Sequence, residues 1–439
     1  MPLCSEACII AKRGRVRVPP DMSDGQRLLL LGGGHSQLAV LKALARERPA
    51  GWRVTLITPQ PRMLYSGMLP GWMAGHYRLG QCAIDLQRLA AAAGVELWLG
   101  AAVALDAGQR RVELADGSVI GYERLSLDIG SGIALGPLSA LMSAKGGSGQ
   151  AASRARPSFV DGASHPSGAV ASPIPPSSPI RLNPTAGQAP PFLLPVRPLA
   201  NFVSGWRRIV TQAAARPDFA LAVVGAGAGG VELAFAARHR LGCAVSLICG
   251  DAGLLPGHAP AVQRRAQHWL VQRGVALLAG PALPQDHALR LADGSLLRTD
   301  ALIAATGAQP AGWLAHSGLA LMESGQVQVD ACQRSVSHAD VFAAGDVSQR
   351  SDGALASSGV HAVRAGPVLT DNLLASLSDA PLRTWRPRKR SLYLLSTGDR
   401  HALMSYGPFS VSGGWVWRWK DHIDRAFIAR HVSGSPGAA

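Results

Sequence analysis

Acidic residues are scarce in this chain, and its cysteines are few and scattered. Against 43 Lys and Arg stand only 28 Asp and Glu in 439 residues, a formal charge of +15 at pH 7. Such an excess points to an anionic partner, whether nucleotide phosphates or a membrane surface, or it reflects no more than the arginine usage of a GC-rich genome. Aromatic residues make up 5% and are not interleaved with the basic ones. No stacking platform is present, and no nucleic-acid partner is expected. The six cysteines (Cys4, Cys8, Cys82, Cys243, Cys249, Cys332) form no C-x-x-C pair and have no zinc-ligand partners at suitable spacing. No metal is expected, and a reducing, cytoplasmic setting with packed or idle thiols fits this usage. No apolar run approaches the roughly 20 residues of a membrane span. A P-loop G-x4-G-K-[ST] and a Ser/His/Asp constellation are also missing. Near the N-terminus the basic residues Lys12, Arg13, Arg15 and Arg17 follow the short apolar piece instead of preceding it. That is the reverse of a secretory signal, so a disordered leader, or a biological start at Met22, is expected.

What the chain does contain is a glycine turn, twice. In the later copy an apolar run, Leu221 to Val224, enters Gly225, Gly227 and Gly230 at G-x-G-x-x-G spacing, and an alanine-rich helical pattern leaves it. Gly225 permits the tight strand-to-helix turn. Gly227 lets the backbone approach a pyrophosphate, and Gly230 lets helix and strand pack closely, while the helix N-terminus receives negative charge. In the earlier copy a buried strand, Leu28–Leu31, meets Gly32, Gly33 and Gly34, and a helical pattern runs from about Ser36 to Arg46.

The likeness extends well past the glycines. RVTLI at 53–57 answers to AVSLI at 244–248, and GVELWLG at 94–100 to GVALLAG at 274–280. ADGS recurs at 115–118 and 292–295, and YERLSLDIGS at 122–131 answers to TDALIAATGA at 299–308. The matches keep their order, and chance does not produce such a set. Two copies of one dinucleotide-binding βαβ unit do. Between them, residues 144 to about 191 are rich in Gly, Ala, Ser and Pro, a composition that cannot offset its ordering entropy, so a disordered insertion is expected. After the second copy an apolar strand, Val341–Ala344, ends in Gly345-Asp346, with a helical pattern from about Ser358 to Ser376. Asp346 either accepts hydrogen bonds from a sugar-alcohol chain or caps that helix. In the tail, Trp415, Trp419, Ile423, Ala426 and Phe427 share one face at helical spacing. Such a stripe suits a helix docked on its own domain, and equally a helix lying in a membrane interface.

Taken together, GGGHSQ, GAGAGGVELA, ATG at 305–307 and VFAAGD resemble the pyridine nucleotide-disulfide oxidoreductase superfamily of flavoproteins with two dinucleotide-binding domains. LYSGMLPGWMAGHY at 64–77, LPVRP at 194–198 and WVWRWKDHIDRAF in the tail are similar to the subgroup found free or fused ahead of selenide, water dikinase, which is akin to type II NADH dehydrogenases. The fold this implies is α/β, with two Rossmann-like domains and a small C-terminal α+β tail. A leader (1–25) would precede the first part of an FAD-binding domain (26–143). The low-complexity insertion (144–192) and an NAD(P)-binding domain (193–318) would follow, then the second FAD part (319–385) and a C-terminal region with an amphipathic helix (386–439).

The resemblance implies FAD and NADH or NADPH as cofactors. By motif position Gly32, Gly33, Gly34, His35, Ser36 and Gly130 would line the FAD cradle, with Gly345 and Asp346 at the ribityl chain. Gly225, Gly227, Gly230 and Gly307 would hold the nicotinamide nucleotide. Glu232, where type II dehydrogenases carry a glutamate near the nicotinamide, is the candidate catalytic residue, in a positioning role; the alternative is a solvated helix glutamate. His361 either lies near the flavin or is a packed or solvent-facing histidine.

Three departures from the pattern stand out. Gln37 replaces the third glycine of the first motif. No acid follows Ile57, where Thr58 and Pro59 stand, and the second copy reads Ile248-Cys249-Gly250-Asp251. Where a redox C-x4-C would sit, the chain reads PRMLYSGMLPG, so no thiol relay runs through that pair. The expected reaction is therefore hydride transfer from nicotinamide to flavin, then electrons to a quinone-like acceptor. Two alternatives are a flavoenzyme of selenium or sulfur metabolism and a non-catalytic nucleotide-binding redox sensor. Peripheral contact with the inner face of the membrane through 414–431 and a homodimer are both compatible with this reading.

Overall fold

The computed structural model describes residues 25–143, 190–353, 359–388 and 390–432. The leader and most of the low-complexity insertion lie outside the described residues.

Two parallel five-stranded sheets organise the chain. The first is built from β1 (Gln26–Leu31), which leads into α1 (His35–Leu44), then β2 (Trp52–Thr58), β3 (Glu96–Leu99) and β4 (Arg124–Leu127). The second uses β5 (Phe192–Pro195), followed by α2 (Leu199–Ala214), then β6 (Ala220–Val224), α3 (Ala228–Leu241), β7 (Ala244–Ile248), β8 (Val275–Leu278) and β9 (Ala301–Ala304). Beyond it come β10 (Val341–Ala343), α4 (Gly359–Ser376), β11 (Leu392–Ser396), β12 (Ala402–Tyr406), β13 (Phe409–Gly413) and α5 (Gly414–Val432). Strand order is β10-β4-β1-β2-β3 in the first sheet and β5-β9-β6-β7-β8 in the second. The two orders superpose one to one. Leu28 to Leu31 are essentially inaccessible, as are Leu221 to Val223, because helices cover one face of each parallel sheet and its three-stranded antiparallel unit packs on the other, so the strands become continuous apolar runs.

The duplication holds down to single hydrogen bonds. Gly32 N donates to Ile57 O at 2.8 Å and Gly225 N to Ile248 O at 3.0 Å. Each copy inserts a three-stranded antiparallel unit between its edge strand (β3 or β8) and the strand that returns to the sheet (β4 or β9). In both units the ADGS turn closes the same way: Asp116 Oδ1 accepts from Ser118 N and Asp293 Oδ1 from Ser295 N, each at 2.9 Å. The chain segments leaving the two sheets then pair with each other, Gly132 with Gln309 and Ile133 with Ala308, antiparallel. That pairing joins the two copies.

Strand β5 belongs to the second sheet, paired with β9 from Phe192↔Ala301 onward, so that sheet begins one residue before the expected boundary at 193. The tail forms a three-stranded antiparallel sheet, β11 paired with β12 and β12 with β13. The expected stripe on α5 is split. Val416, Asp424, Phe427 and Ile428 face inward, whereas Trp415 (51%), Trp419 (39%) and Ile423 (37%) are exposed. Phe427 joins the buried set because it stacks on Tyr65 at 4.5 Å. Docking is real, and most of the tryptophan stripe points away from it.

Candidate nucleotide-binding site

Each glycine turn sits at the carboxyl ends of its sheet strands, the usual ligand edge of an open α/β sheet. In the second copy the three glycines have three distinct jobs. Gly225 has φ +106°, and a Cβ there would lie 2.4 Å from Ala305 O. A Cβ on Gly230 would lie 1.8 Å from Gly225 O, so α3 could not pack as it does. A Cβ on Gly227 meets no protein atom within 4 Å. The turn and the packing explain the first two; only Gly227 faces open space, at the start of α3, where amides point outward. Gly307, at the end of β9, is similarly open, and its carbonyl accepts from Ala134 N at 2.9 Å.

The first copy repeats the turn and changes what surrounds it. Gly32 has φ +96°, and its Cβ would lie 2.3 Å from Asp128 O, matching Gly225 against Ala305. Asp128 thus occupies the place of Ala305, and its carboxylate projects into the cradle. Asp128 Oδ2 accepts from Ser36 N at 2.7 Å and Gln37 N at 3.1 Å. A Cβ on Gly34 would lie 2.2 Å, and one on Gly345 2.7 Å, from Asp128 Oδ1. Gly33 meets the end of Leu86 and the Thr58 hydroxyl, while Gly130, at φ +69°, is open. Gln37 is accommodated because its Nε2 reaches Ser126 O and Oγ, both at 3.0 Å, on β4. The side chain thereby fills the gap that close helix packing closes in the other copy. Burial pushes the Asp128 carboxyl up to about 7 despite these two N–H donors, and nearby Asp346 adds to the rise.

Asp346 arrives from the far side, at the end of β10. It pairs with Arg197 at 2.5 Å, and Arg197 also donates to Ser131 Oγ. The helix that follows, α4, packs on α1, with Ser36 Oγ donating to Ala362 O at 3.0 Å. Gly32, Gly34, Ser36, Gly345 and Asp346 therefore converge around Asp128. A cleft beside Gly345 and Asp346 is lined by Arg350, His361 and Trp385; His361 Nε2 lies 3.0 Å from Ser391 Oγ. His35 opens α1 among the rings of Tyr65 and Phe427. Burial draws it down to about 4, so it is neutral near pH 7, and its Nε2 is buried with no protein partner. A glycine turn, an orphan imidazole nitrogen, and a carboxylate–guanidinium pair suited to hydroxyls together fit a flavin dinucleotide.

Glu232 lies one turn into α3. Its Oε1 accepts from Ser396 N at 2.8 Å, and burial pushes it up to about 7, with Lys420 opposing. Around it, α5 presents a buried polar face. Lys420 Nζ donates to Asp424 Oδ2 and to Gly67 O, both at 2.8 Å, and Tyr65 OH donates to Asp424 Oδ1 at 3.2 Å. Burial pulls Lys420 down, but Asp424 and Glu232 more than offset it; burial raises Asp424. Glu232 is thus part of an enclosed ionic network between the two copies, not a solvated helix residue.

Asp128, Arg197, Tyr65 and Lys420 escaped the reading of the sequence. For Asp128 a signal existed, since aligning the copies sets it against Ala305. Arg197 and Lys420 become visible only when segments far apart in sequence meet. At the acid position after the second strand, the equivalent residues are Thr58 and Cys249, both buried. Burial raises the Cys249 thiol to about 11. Cys82, Cys243, Cys249 and Cys332 are all free thiols. Among the described residues no cluster could hold a metal, and no helix is long and apolar enough to cross a membrane.

Residues 192–366 match a family model described as "Pyridine nucleotide-disulphide oxidoreductase". No curated protein sequence matches the chain. Among solved structures, the sulfide:quinone oxidoreductase of Aquifex aeolicus superposes with TM-score 0.68 at 13% identity, covering 93% of this chain and 92% of that one. A ferredoxin reductase from Rhodopseudomonas palustris gives 0.62 at 17%, over 86% and 81%. The water-forming NADH oxidase of Lactobacillus brevis gives 0.61 at 19%, over 87% and 75%. At such identities the likeness is one of fold.

Proposed function

We propose that this chain, whose residues 192–366 match a family model described as "Pyridine nucleotide-disulphide oxidoreductase", is an oxidoreductase that binds FAD in its first cradle and NADH or NADPH in its second. On this reading 26–143 and 319–385 make one flavin-binding domain around the inserted 193–318. The observation that carries the reading is the pair of superposable cradles, one closed around Asp346 and Arg197 and one left open at Gly227. Bound flavin supplies hydride acceptance from a nicotinamide and electron delivery onward. The chain supplies geometry and enclosure. Gly227 and Gly307 leave room for the nicotinamide nucleotide at the start of α3, Glu232 fixes that edge through Ser396, and Tyr65, His35 and Phe427 shield the flavin side from water.

We assign the acceptor as quinone-like. No C-x-x-C is available for a thiol acceptor, and the exposed Trp415, Trp419 and Ile423 on α5 suit a membrane surface on which such acceptors dissolve. NAD(P)H provides two electrons and one proton, and the second proton of the quinol comes from solvent. The test is anaerobic mixing of the yellow protein with NADH and with NADPH. The flavin bleaches with at least one of them and recolours on adding a short-chain quinone. A protein that neither carries nor takes up FAD overturns the reading. Flotation with anionic liposomes, lost when 414–439 are removed, tests the membrane contact.

A further inference from the structure

The two cradles are alike in backbone, but at one position the first carries an acid where the second carries a neutral methyl group. At the start of α3, Ala305 brings only a methyl group; at the start of α1, the equivalent Asp128 brings a carboxylate that takes the amides of Ser36 and Gln37. Those amides and the partial positive charge behind them are what a helix N-terminus offers a diphosphate. We infer that the first cradle takes up a proton with its dinucleotide: Asp128 and the pyrophosphate share one helix end, and only the protonated acid tolerates the diphosphate beside it.

The inference rests on the proposal that this cradle holds FAD. The step is simple in its balance. One proton from solvent forms an O–H bond on the Asp128 carboxyl as FAD enters, and it returns to solvent as FAD leaves.

The surroundings favour this. Asp128 is buried, only 3% exposed. From the β10 turn it faces Asp346, whose own charge is matched by Arg197, the cation paired with it among the described residues. His35, beside it on α1, is neutral near pH 7. From the start of α4 the ionisable groups are His361 and Arg364, both engaged with Ser391 Oγ. Without ligand the acid titrates near pH 7, and the diphosphate raises it further. Above that pH each unit costs about tenfold in apparent affinity, until the liganded acid itself ionises.

The full-length protein is titrated with FAD by flavin fluorescence at ~pH 6 and ~pH 8.5, with NAD+ titrated into the same samples. The FAD dissociation constant is expected to rise about 30-fold across this range, while that of NAD+, bound where Ala305 stands, changes less than about twofold. Calorimetry in two buffers of different ionisation enthalpy should count close to one proton taken up per FAD at ~pH 8. Asp128→Asn, which keeps an acceptor for Ser36 N, should flatten the FAD profile and hold at ~pH 8.5 the affinity seen at ~pH 6. Should that variant fail to fold, the wild-type proton count decides alone. Equal FAD affinity at both pH values with no proton uptake overturns the inference. A folded Asn variant that loses FAD throughout overturns it too, by making the carboxylate a support. Absence of FAD binding at every pH is a different result and overturns the assignment of the cradle itself.

Discussion

The two nucleotide cradles share strand order, turn geometry and even the hydrogen bonds of a surface turn, yet they part company at their third glycine and at the residue facing it. In the later copy Gly230 lets α3 lie against the turn, and Ala305 leaves the helix end bare. In the earlier copy Gln37 stands where Gly230 would be, tied to β4 through Ser126, and Asp128 caps the helix. A glycine fingerprint is therefore one of several ways to close this joint. What it protects is the approach of helix to strand, and a buried amide can do the same when a neighbouring strand supplies its acceptors.

The largest effect that separates the copies should come from Gly230→Ala. A methyl 1.8 Å from Gly225 O displaces α3, and a shift on the order of 1 Å costs roughly 100-fold in flavin bleaching by NAD(P)H. The matching change in the first copy, Gln37→Gly, loses two hydrogen bonds and is expected to cost about 1–2 kcal/mol in chemical denaturation, with bleaching nearly intact. Equal loss in both would show the two joints to be the same after all.

Next comes Ala305→Asp, which transplants the acid. NAD+ affinity, expected to be flat in the wild type, should then fall about tenfold between ~pH 6 and ~pH 8 in equilibrium titrations. A flat profile in the variant would assign the pH dependence of the first cradle elsewhere.

The smallest is Glu232→Gln. Burial holds this carboxyl well above its ordinary range, up to about 7. Its contribution to stability is therefore present below its unfolded titration and is lost as pH rises through about 7. The variant should match wild type at ~pH 4.5 and exceed it at ~pH 8 by on the order of 1 kcal/mol, a gain tempered because Lys420 loses one of its two carboxylates. A variant less stable at both pH values would make the charge itself a structural need.

Much of this was legible before any coordinates. Leu28–Leu31 and Leu221–Val224 announced buried parallel strands, and the ordered repeats gave both sheets and their correspondence. The turn at Gly225 and the close packing at Gly230 followed from spacing because each depends on a local fact, a positive φ or a missing Cβ. The ionic network did not follow. Glu232, Lys420, Asp424 and Tyr65 lie far apart in the chain, and periodicity says nothing about which helix face meets which loop. The tail misled for a related reason. Apolar residues are read as inward, but on α5 the inward face carries Lys420 and Asp424 because Gly67 O and Tyr65 OH meet them there, and the two tryptophans are left outside.

The edge strands of the two sheets have a consequence for synthesis. β5 precedes its sheet and β10 follows the whole of the other domain. As the polypeptide leaves the ribosome, the inner domain has every one of its strands by Ala304, whereas the outer one must hold β1, β2, β3 and β4 with an open flank until Val341–Ala343 emerges. The domain begun first is completed last, so the nascent outer sheet depends on the inner one, or on a chaperone, to keep that flank from pairing elsewhere.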